Sequence, residues 1–329
     1  LSKEDVITGH NGPYKEIETP VRALSHNMIL LQSALNITGD LKYKNAIIES
    51  ANRINELWLD FNLPPMRSSK KDRTNGLIGF AWIMEAMVFC RSTLSDHPIH
   101  SKIIQALSLY SNEGSFPLVS GIVDTKIVHC RIDYTLNHQI WFQVYRFLYL
   151  NESLDYREML LSLFKTIRVS RSIINHYPGT LKFLIRRVYY AGFKRSFFKE
   201  LKIKEKGYHF FNLVPLAVLK SEYSFKLPRR LNHILTSSNK LQLSDLDNVY
   251  STPYNPVPLE KALCFYAQGK FDLFKLEVSK YFSCWQDERI WKVDSSNVLS
   301  RVYILAYTYN NEVELDSIID IEKVYSNRC

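Results

Sequence analysis

Polar side chains crowd the start of one otherwise apolar segment, at Asp133, Thr135, Asn137, His138 and Gln139. A buried helix needs one capping group at its start and then turns apolar, so this density of polar atoms indicates a ligand or an unusual network. The carboxylate and the amides can hydrogen-bond a polar ligand, and an imidazole titrates close to neutral pH and can transfer a proton. We therefore interpret this stretch as a candidate site at the beginning of a helix.

Similar polar groups stand at five other predicted helix starts. They are Arg22, Ser25 and His26; Arg73, Thr74 and Asn75; Tyr208, His209 and Asn212; Tyr254 and Asn255; and Asn297 and Arg301. Capping accounts for about one residue per helix and leaves the others without an explanation. Because helix N-termini favour anionic groups, we expect the six openings to surround one cleft that accepts an acidic ligand.

The helices behind these openings begin near residues 20, 76, 135, 208, 256 and 297, and most are followed by a more polar helix. A helix that is apolar on all sides must be buried on all sides, whereas an amphipathic partner faces water. We therefore predict an all-α fold in one domain over residues 1–329, an (α/α)6 toroid of six helical hairpins with inner and outer rings. The alternative is an open α-solenoid, which normally repeats a consensus length that this chain lacks.

Two segments interrupt the helical pattern. Residues 116–132 alternate apolar and polar side chains, which predicts a β-hairpin insert. Residues 182–206 hold nine Lys and Arg against two Glu, with aromatic residues between them, and so carry most of the net charge of +9. This basic segment suits an acidic polymer or an anionic membrane surface, and its alternative interpretation is a solvated helical face. Nucleic acid is disfavoured as a partner because no recognised nucleic-acid-binding motif accompanies the charge.

Several classes of protein are disfavoured by what the sequence lacks. No run reaches about 18 uncharged apolar residues and no signal-peptide core is present, so we expect a cytoplasmic protein, membrane-peripheral at most. The five cysteines are scattered, with no pair at metal-ligand spacing, and no glycine-rich phosphate loop occurs. We therefore predict neither a metal nor a cofactor.

The inner helix that begins with Asn137 and His138 and continues with Trp141 and Phe142 resembles the (α/α)-toroid polysaccharide lyases, in particular the alginate-lyase-like enzymes. The layout is similar more broadly to the unsaturated-uronyl hydrolases and the N-acylglucosamine 2-epimerases. Residues 18–22, 75–82 and 137–142 are also similar to uncharacterised toroid proteins encoded among bacterial surface-polysaccharide genes. Leu136 departs from the lyase pattern, which often has a polar residue before Asn-His.

The lyase resemblance implies roles for individual residues. Asn137, aided by Arg301, would neutralise a uronate carboxylate. His138 or His209 would take the proton from the neighbouring carbon, and Tyr208 would donate a proton to the departing glycosidic oxygen. The resemblance and the openings together give a set of sugar-binding candidates, which comprises Arg22, His26, Asn75, Trp82, Gln139, Trp141, Asn212, Tyr254, Asn255 and Arg301.

Three alternatives to a lyase stay open. A glycoside hydrolase needs two carboxyl groups across the cleft, and only Asp133 stands clearly at a helix opening. A 2-epimerase would use two histidines as opposing acid and base, drawn from His26, His138 and His209. A third alternative is a catalytically inactive module that binds or assembles glycans in capsule or O-antigen synthesis, because a fold does not imply a function.

Overall fold

The computed structural model describes residues 16–68, 73–110, 120–122, 130–151, 153–170, 172–177, 195–237, 241, 248–251, 256–283 and 302–309. In these ranges the protein is mostly helical, and its strands form small two-stranded antiparallel sheets. The predicted helical class with a small β-insert is therefore confirmed.

The helices are α1 (Pro20–Thr38), α2 (Leu41–Leu57), α3 (Gly76–Phe89), α4 (Ile99–Ser108), α5 (Leu136–Tyr149), α6 (Leu154–Thr166), α7 (Arg195–Gly207), α8 (His209–Ser221), α9 (Arg229–Ser237), α10 (Val257–Tyr266), α11 (Phe271–Ser283) and α12 (Ala306–Tyr309), with a 3₁₀ helix at Val302–Leu305. The strands are β1 (Ser120–Ile122), β2 (Cys130–Ile132), β3 (Val169–Ser170) and β4 (Ile173–Ile174).

The first hairpin, α1 and α2, has the boundaries that its capping residues dictate. Pro20 occupies the first helical turn, where its missing N–H costs nothing, and the Thr19 hydroxyl accepts the Val21 N–H at 3.4 Å. Gly39 ends α1 in the left-handed conformation with φ of 66°. Asp40 then starts α2 by accepting the Lys42 N–H at 2.9 Å.

Fully buried and half-exposed helices alternate along the chain, as the hydropathy pattern predicts. Helices α3, α5, α8 and α10 are buried around nearly their whole circumference. By contrast, α2, α4 and α6 bury only one face. The apolar helices therefore make the core, and their polar partners cover it.

The buried helices contact one another in chain order, α1 with α3, α3 with α5, α5 with α8, and α8 with α10. The 3₁₀ helix contacts both α10 and α1. Helices α3 and α5 run in the same direction, because the start of α3 bonds to Asp133 just before α5, and further along Tyr145 bonds to Glu85. The sixth helix start, expected near residue 297, lies outside the described residues, and the described part begins at Val302.

Two small hairpins accompany the helices. Strands β1 and β2 pair antiparallel with Ser120 opposite Ile132, which agrees with the hairpin predicted over residues 116–132; the rest of that insert lies outside the described residues. The second hairpin, β3 with β4, was not predicted, because strands of two residues are too short to produce a detectable alternation. It packs against α7 and α8.

Other sequence predictions concern the thiols, the membrane and the basic segment. Cys90 and Cys264 are buried free thiols. Over the described ranges, no helix combines the length and the apolar character that crossing a bilayer requires. Residues 182–194 of the basic segment lie outside the described residues, and the remainder belongs to α7, where Lys199, Lys202 and Lys206 are exposed.

Candidate functional site

A carboxylate and an imidazole form a close pair at the start of α5. Asp133 Oδ2 lies 2.7 Å from His138 Nδ1, and the two side chains keep 12% and 21% of their exposure. The same carboxylate accepts the Thr135 N–H at 3.0 Å and the Leu77 N–H at 3.2 Å. Asp133 thereby joins the start of α3 to the residue that precedes α5 and orients the ring, and the imidazole stays partly accessible to water or a ligand.

Asp133 is ionised at neutral pH. Burial by itself would raise the pKa of its carboxyl, but the neighbouring His138 and the backbone N–H groups of Thr135 and Leu77 outweigh burial and lower the pKa to about 2. A carboxylate in this state accepts a hydrogen bond from the Nδ1–H of His138. That tautomer leaves Nε2 of His138 with a lone pair that can take a proton.

The loop before α3 is shaped to lie against this pair. Asn75 and Gly76 both adopt the left-handed conformation, with φ of 55° and 58°. A Cβ atom on Gly76 would stand 2.5 Å from Asp133 Oδ2 and 2.9 Å from His138 Nδ1. Glycine is therefore required at residue 76 for two reasons, its backbone conformation and the space that the Asp133–His138 pair occupies.

The openings of α5 and α8 are joined through the β3–β4 hairpin. The Leu136 N–H at the start of α5 bonds to the His176 carbonyl at 2.9 Å, and the Ile174 N–H donates to Nδ1 of His209 at 3.2 Å. The His176 N–H donates in turn to Glu205 Oε1 of α7 at 3.2 Å. Segments distant in sequence thus meet beside the Asp133–His138 pair.

His176 and Tyr208 form the neighbouring wall. Their ring centroids are 6.1 Å apart, and Tyr208 also lies 5.8 Å from Tyr250. Burial, together with the positive charge of Lys204 and the proximity of His138, lowers the pKa of His176 to about 3. His176 is therefore neutral at physiological pH. Tyr208 keeps 7% of its exposure, and its predicted role as a proton donor stays a prediction.

His209 is poorly suited to the role of a base. The residue is completely buried, and burial lowers the pKa of its imidazole to about 3. Its Nδ1 lone pair already accepts the Ile174 N–H, so in the neutral ring the proton resides on Nε2. These facts argue against the sequence-based assignment of His209 as the proton acceptor and indicate that it secures the β3–β4 hairpin.

Asn137 and Asn212 are buried beside this region, with 4% and 1% of their surface exposed. Among the residues that the structure describes, the Oδ1 atoms of both side chains have no hydrogen-bond partner. Their predicted contacts with a sugar stay a prediction. Asn75 is engaged differently, because its Oδ1 accepts a hydrogen bond from Arg67, which also pairs with Glu16 at 2.8 Å.

Arg22 and His26 lie inside the core. Arg22 donates to both carboxylate oxygens of Glu18 at 2.8 Å, and its guanidinium lies 4.4 Å from the ring centre of Trp82. His26, which is fully buried, stacks on Tyr303 at 4.3 Å between ring centroids. This burial argues against the predicted roles of Arg22, His26 and Trp82 in binding a substrate, and indicates that they hold α1, α3 and the 3₁₀ helix together.

Gln139 and Trp141 are likewise part of the interior. Gln139 is completely buried and donates to the Asp133 carbonyl at 2.6 Å. Trp141 is also completely buried, stacks on Phe211, and donates its indole N–H to the Phe211 carbonyl at 3.1 Å. This burial argues against the predicted stacking of Trp141 on a sugar and indicates a role in packing. Tyr254, Asn255 and Arg301 lie outside the described residues.

The site contains residues that the sequence did not single out, namely Gly76, His176 and Glu205. Gly76 follows Asn75, and an Asn-Gly pair is a known signal for left-handed backbone that could have been used. His176 and Glu205 have no such signal in the sequence. His176 lies in a loop and Glu205 in a helix, and only long-range packing brings the two residues together. Within the described ranges, no group of His, Cys, Asp and Glu side chains is arranged to hold a metal ion.

Comparison with known proteins gives one similarity over most of the chain. The chain is 27% identical over 316 residues to a protein of Haloferax volcanii named archaeal glycosylation protein Q, and the alignment covers 86% of this chain and 82% of the relative. No family model matches the chain, and no solved structure matches it.

Proposed function

We propose that this chain is a glycan-related protein, an (α/α)6 toroid that acts on an acidic sugar by removing a proton with His138. The observation that carries the proposal is the Asp133–His138 pair, with 2.7 Å between Oδ2 and Nδ1 and an imidazole that stays accessible. A carboxylate that fixes the tautomer of an exposed imidazole produces a positioned general base. The similarity to a protein named for glycosylation supports a glycan as the ligand.

The proposed reaction starts at the carbon next to the carboxylate of a uronate unit. Nε2 of His138 takes the proton from that carbon, and the Asn137 amide stabilises the charge that develops on the carboxylate. In elimination, the electron pair forms a carbon–carbon double bond while the bond to the glycosidic oxygen breaks, and Tyr208 protonates that oxygen. If a second acid on the opposite face of the sugar instead donates a proton to the same carbon, and the glycosidic bond stays intact, the result is epimerisation, with His138 keeping the proton that it removed.

The distribution of carboxyl groups favours proton abstraction over hydrolysis. A glycoside hydrolase needs a protonated carboxyl as its acid and a second carboxylate across the cleft. Asp133, with a pKa lowered to about 2, holds no proton to give at neutral pH. Glu18, a carboxyl near the opening of α1, is paired with Arg22.

The charge of the chain supports an acidic sugar rather than a neutral one. The exposed lysines of α7 belong to the basic segment 182–206, and α7 contacts the hairpin that borders the site. Fixed positive charge of this kind attracts polyanions over a distance of about a Debye length. An anionic membrane surface would be attracted by the same charges.

A second candidate is glycan binding or assembly without turnover. It is favoured by one observation, that the relative is named for glycosylation and not for glycan cleavage. In this case the same opening would hold the sugar, and His138 would act as a hydrogen-bonding group only.

The test is the substitution His138→Gln, assayed for binding and turnover of uronate oligosaccharides. We expect turnover to fall by at least about 10²-fold, because general-base catalysis contributes that much. The free energy of unfolding should change by about 1 kcal/mol or less. His233→Gln on the exposed side of α9 is the matched control and should behave like the parent.

The outcomes separate the two candidates. Formation of an unsaturated uronate that depends on His138 supports elimination, and proton exchange without cleavage supports epimerisation. Saturable binding without turnover supports the assembly role. If the parent neither binds nor converts acidic, neutral or amino-sugar oligosaccharides, both candidates fail.

A further inference from the structure

A cavity of about 140 Å³ lies at the end of the buried helices that is opposite to the Asp133–His138 pair. Its lining includes Asn36 from the last turn of α1, Phe89 from the end of α3, and Glu222 directly after α8. Helix α3 has 14 residues, so about 20 Å separates the cavity from the loop that contacts His138. The two places are therefore independent sites.

The lining of this cavity combines aromatic rings with one carboxyl group. Phe89, Tyr145 and Tyr223 contribute rings, and the Tyr145 hydroxyl donates to Glu85 Oε1 at 2.9 Å, which fixes that ring in place. Glu222 is held by its backbone N–H, which bonds to the Val218 carbonyl at 2.9 Å. Rings with a nearby carboxylate are the surroundings in which proteins bind organic cations.

The environment of the Glu222 carboxyl also favours a cationic ligand. Among the described residues, its Oε1 atom has no hydrogen-bond partner although it is shielded from solvent. Burial raises the pKa of this carboxyl and outweighs the opposing contact with the Ser221 side chain, so the negative charge is only partly compensated. A cation in the cavity would supply the missing compensation.

The ends of three helices also favour a positively charged ligand in the cavity. The last turns of α1, α3 and α8 border the cavity, and the carbonyl groups at a helix C-terminus favour positive charge. Of the described residues that line the cavity, none is a Lys or Arg that would occupy this position from within the chain. Glu222 and the three helix ends therefore disfavour an anionic ligand.

We infer that this cavity is a binding site for a small organic cation, of the alkylammonium or quaternary ammonium type. The rings of Phe89 and Tyr223, which are partly exposed, supply cation–π contacts, and Glu222 supplies the opposite charge. The volume of about 140 Å³ is large enough for a trimethylammonium group. This inference does not depend on the proposed chemistry at His138.

The experiment is calorimetric titration of the full chain with choline and, separately, with dimethylbutanol, its uncharged carbon isostere. We expect choline to bind at least about tenfold more tightly than the isostere, because only the charged ligand gains the contacts with Glu222 and the rings. Glu222→Gln should remove most of this difference while keeping the shape of the side chain. Glu158→Gln on the exposed face of α6 is the matched control and should leave the affinity unchanged.

A second variant distinguishes a loss of binding from a loss of folding. Tyr223→Leu keeps an apolar side chain at the rim and removes one ring, so choline affinity should fall while the thermal transition stays near that of the parent. Equal binding of choline and its isostere, an unchanged affinity in Glu222→Gln, or no binding of choline would each overturn the inference.

Discussion

Two ion pairs stand at the openings of buried helices, and they differ in their access to solvent. Arg22 and Glu18 keep 2% and 5% of their side-chain exposure, whereas His138 and Asp133 keep 21% and 12%. Both pairs look alike in the sequence, as a cation and a carboxylate four or five residues apart. The polarity of a helix opening therefore does not by itself indicate a ligand site. The side chains that pack over the opening determine whether a ligand can reach its polar groups.

The difference arises from the neighbouring helix. At the opening of α1, the indole of Trp82 lies over the guanidinium of Arg22 and seals the pair from water. At the opening of α5, the nearest residue of the preceding hairpin is Gly76, which has no side chain to cover the imidazole. One neighbour fills the space, and the other leaves it open.

The largest effect should follow the loss of the buried pair. Arg22→Leu leaves the Glu18 carboxylate buried without its cation, so we expect the free energy of unfolding to fall by about 3–5 kcal/mol, measured by denaturant titration. The double variant Glu18→Leu with Arg22→Leu should recover part of this loss, because no charge then stays buried. A single variant as stable as the parent would show that the pair is unimportant.

An intermediate effect is expected at the open pair. Gly76→Ala must place a side chain in the left-handed region and displace Asp133 or His138, which should cost about 2 kcal/mol of stability. Any activity that depends on His138 should also fall in this variant. Gly39→Ala is the informative control, since it has the same backbone strain at φ of 66° and open space around its Cβ position. Equal losses in the two variants would mean that contact with the pair contributes nothing.

The last effect, the smallest for a change of one pH unit, concerns the pH dependence of stability at a buried histidine. The pKa of His209 is lowered from 6.5 to about 3 in the folded chain, so between these values the unfolded state binds a proton that the folded state does not. Stability therefore falls as pH decreases through this window, by about 1.4 kcal/mol per pH unit from this group alone.

The comparison of the parent with His209→Gln isolates this contribution. The glutamine side chain can still accept the Ile174 N–H, and it does not titrate. Unfolding curves measured at several pH values between 6 and 4 should show a smaller slope for the variant, by about one proton. Parallel slopes would show that His209 is protonated in the folded chain.

The sequence predicted the helices well where local chemistry determines them. Thr19, Gly39 and Asp40 mark the boundaries of α1 and α2 through short-range hydrogen bonds, and the apolar runs of α3 and α5 identify the buried helices. Asp133 and His138 are five residues apart at the start of α5, so their proximity could also be anticipated. All of these features depend on residues that are close in the chain.

The environment of each polar residue could not be predicted in the same way. Trp82 covers Arg22 and Phe211 covers Trp141 through contacts between different helices, and hydropathy along one segment contains no information about its neighbours. The role of His176 depends on a hairpin of four strand residues, below the length at which alternation is visible. The sequence therefore identifies polar residues at the helix openings but does not show which of them are buried and which are accessible.

The contact between Glu85 and Tyr303 has a consequence for biosynthesis. The two residues are 218 positions apart, and their hydrogen bond connects α3 to the 3₁₀ helix, which also packs on α1. At typical rates of translation, roughly 10 to 40 s pass between the appearance of the first residue and that of the second. During this interval the first hairpins exist without the segment that covers His26. We expect the nascent chain to need protection by a chaperone until that segment has emerged from the ribosome.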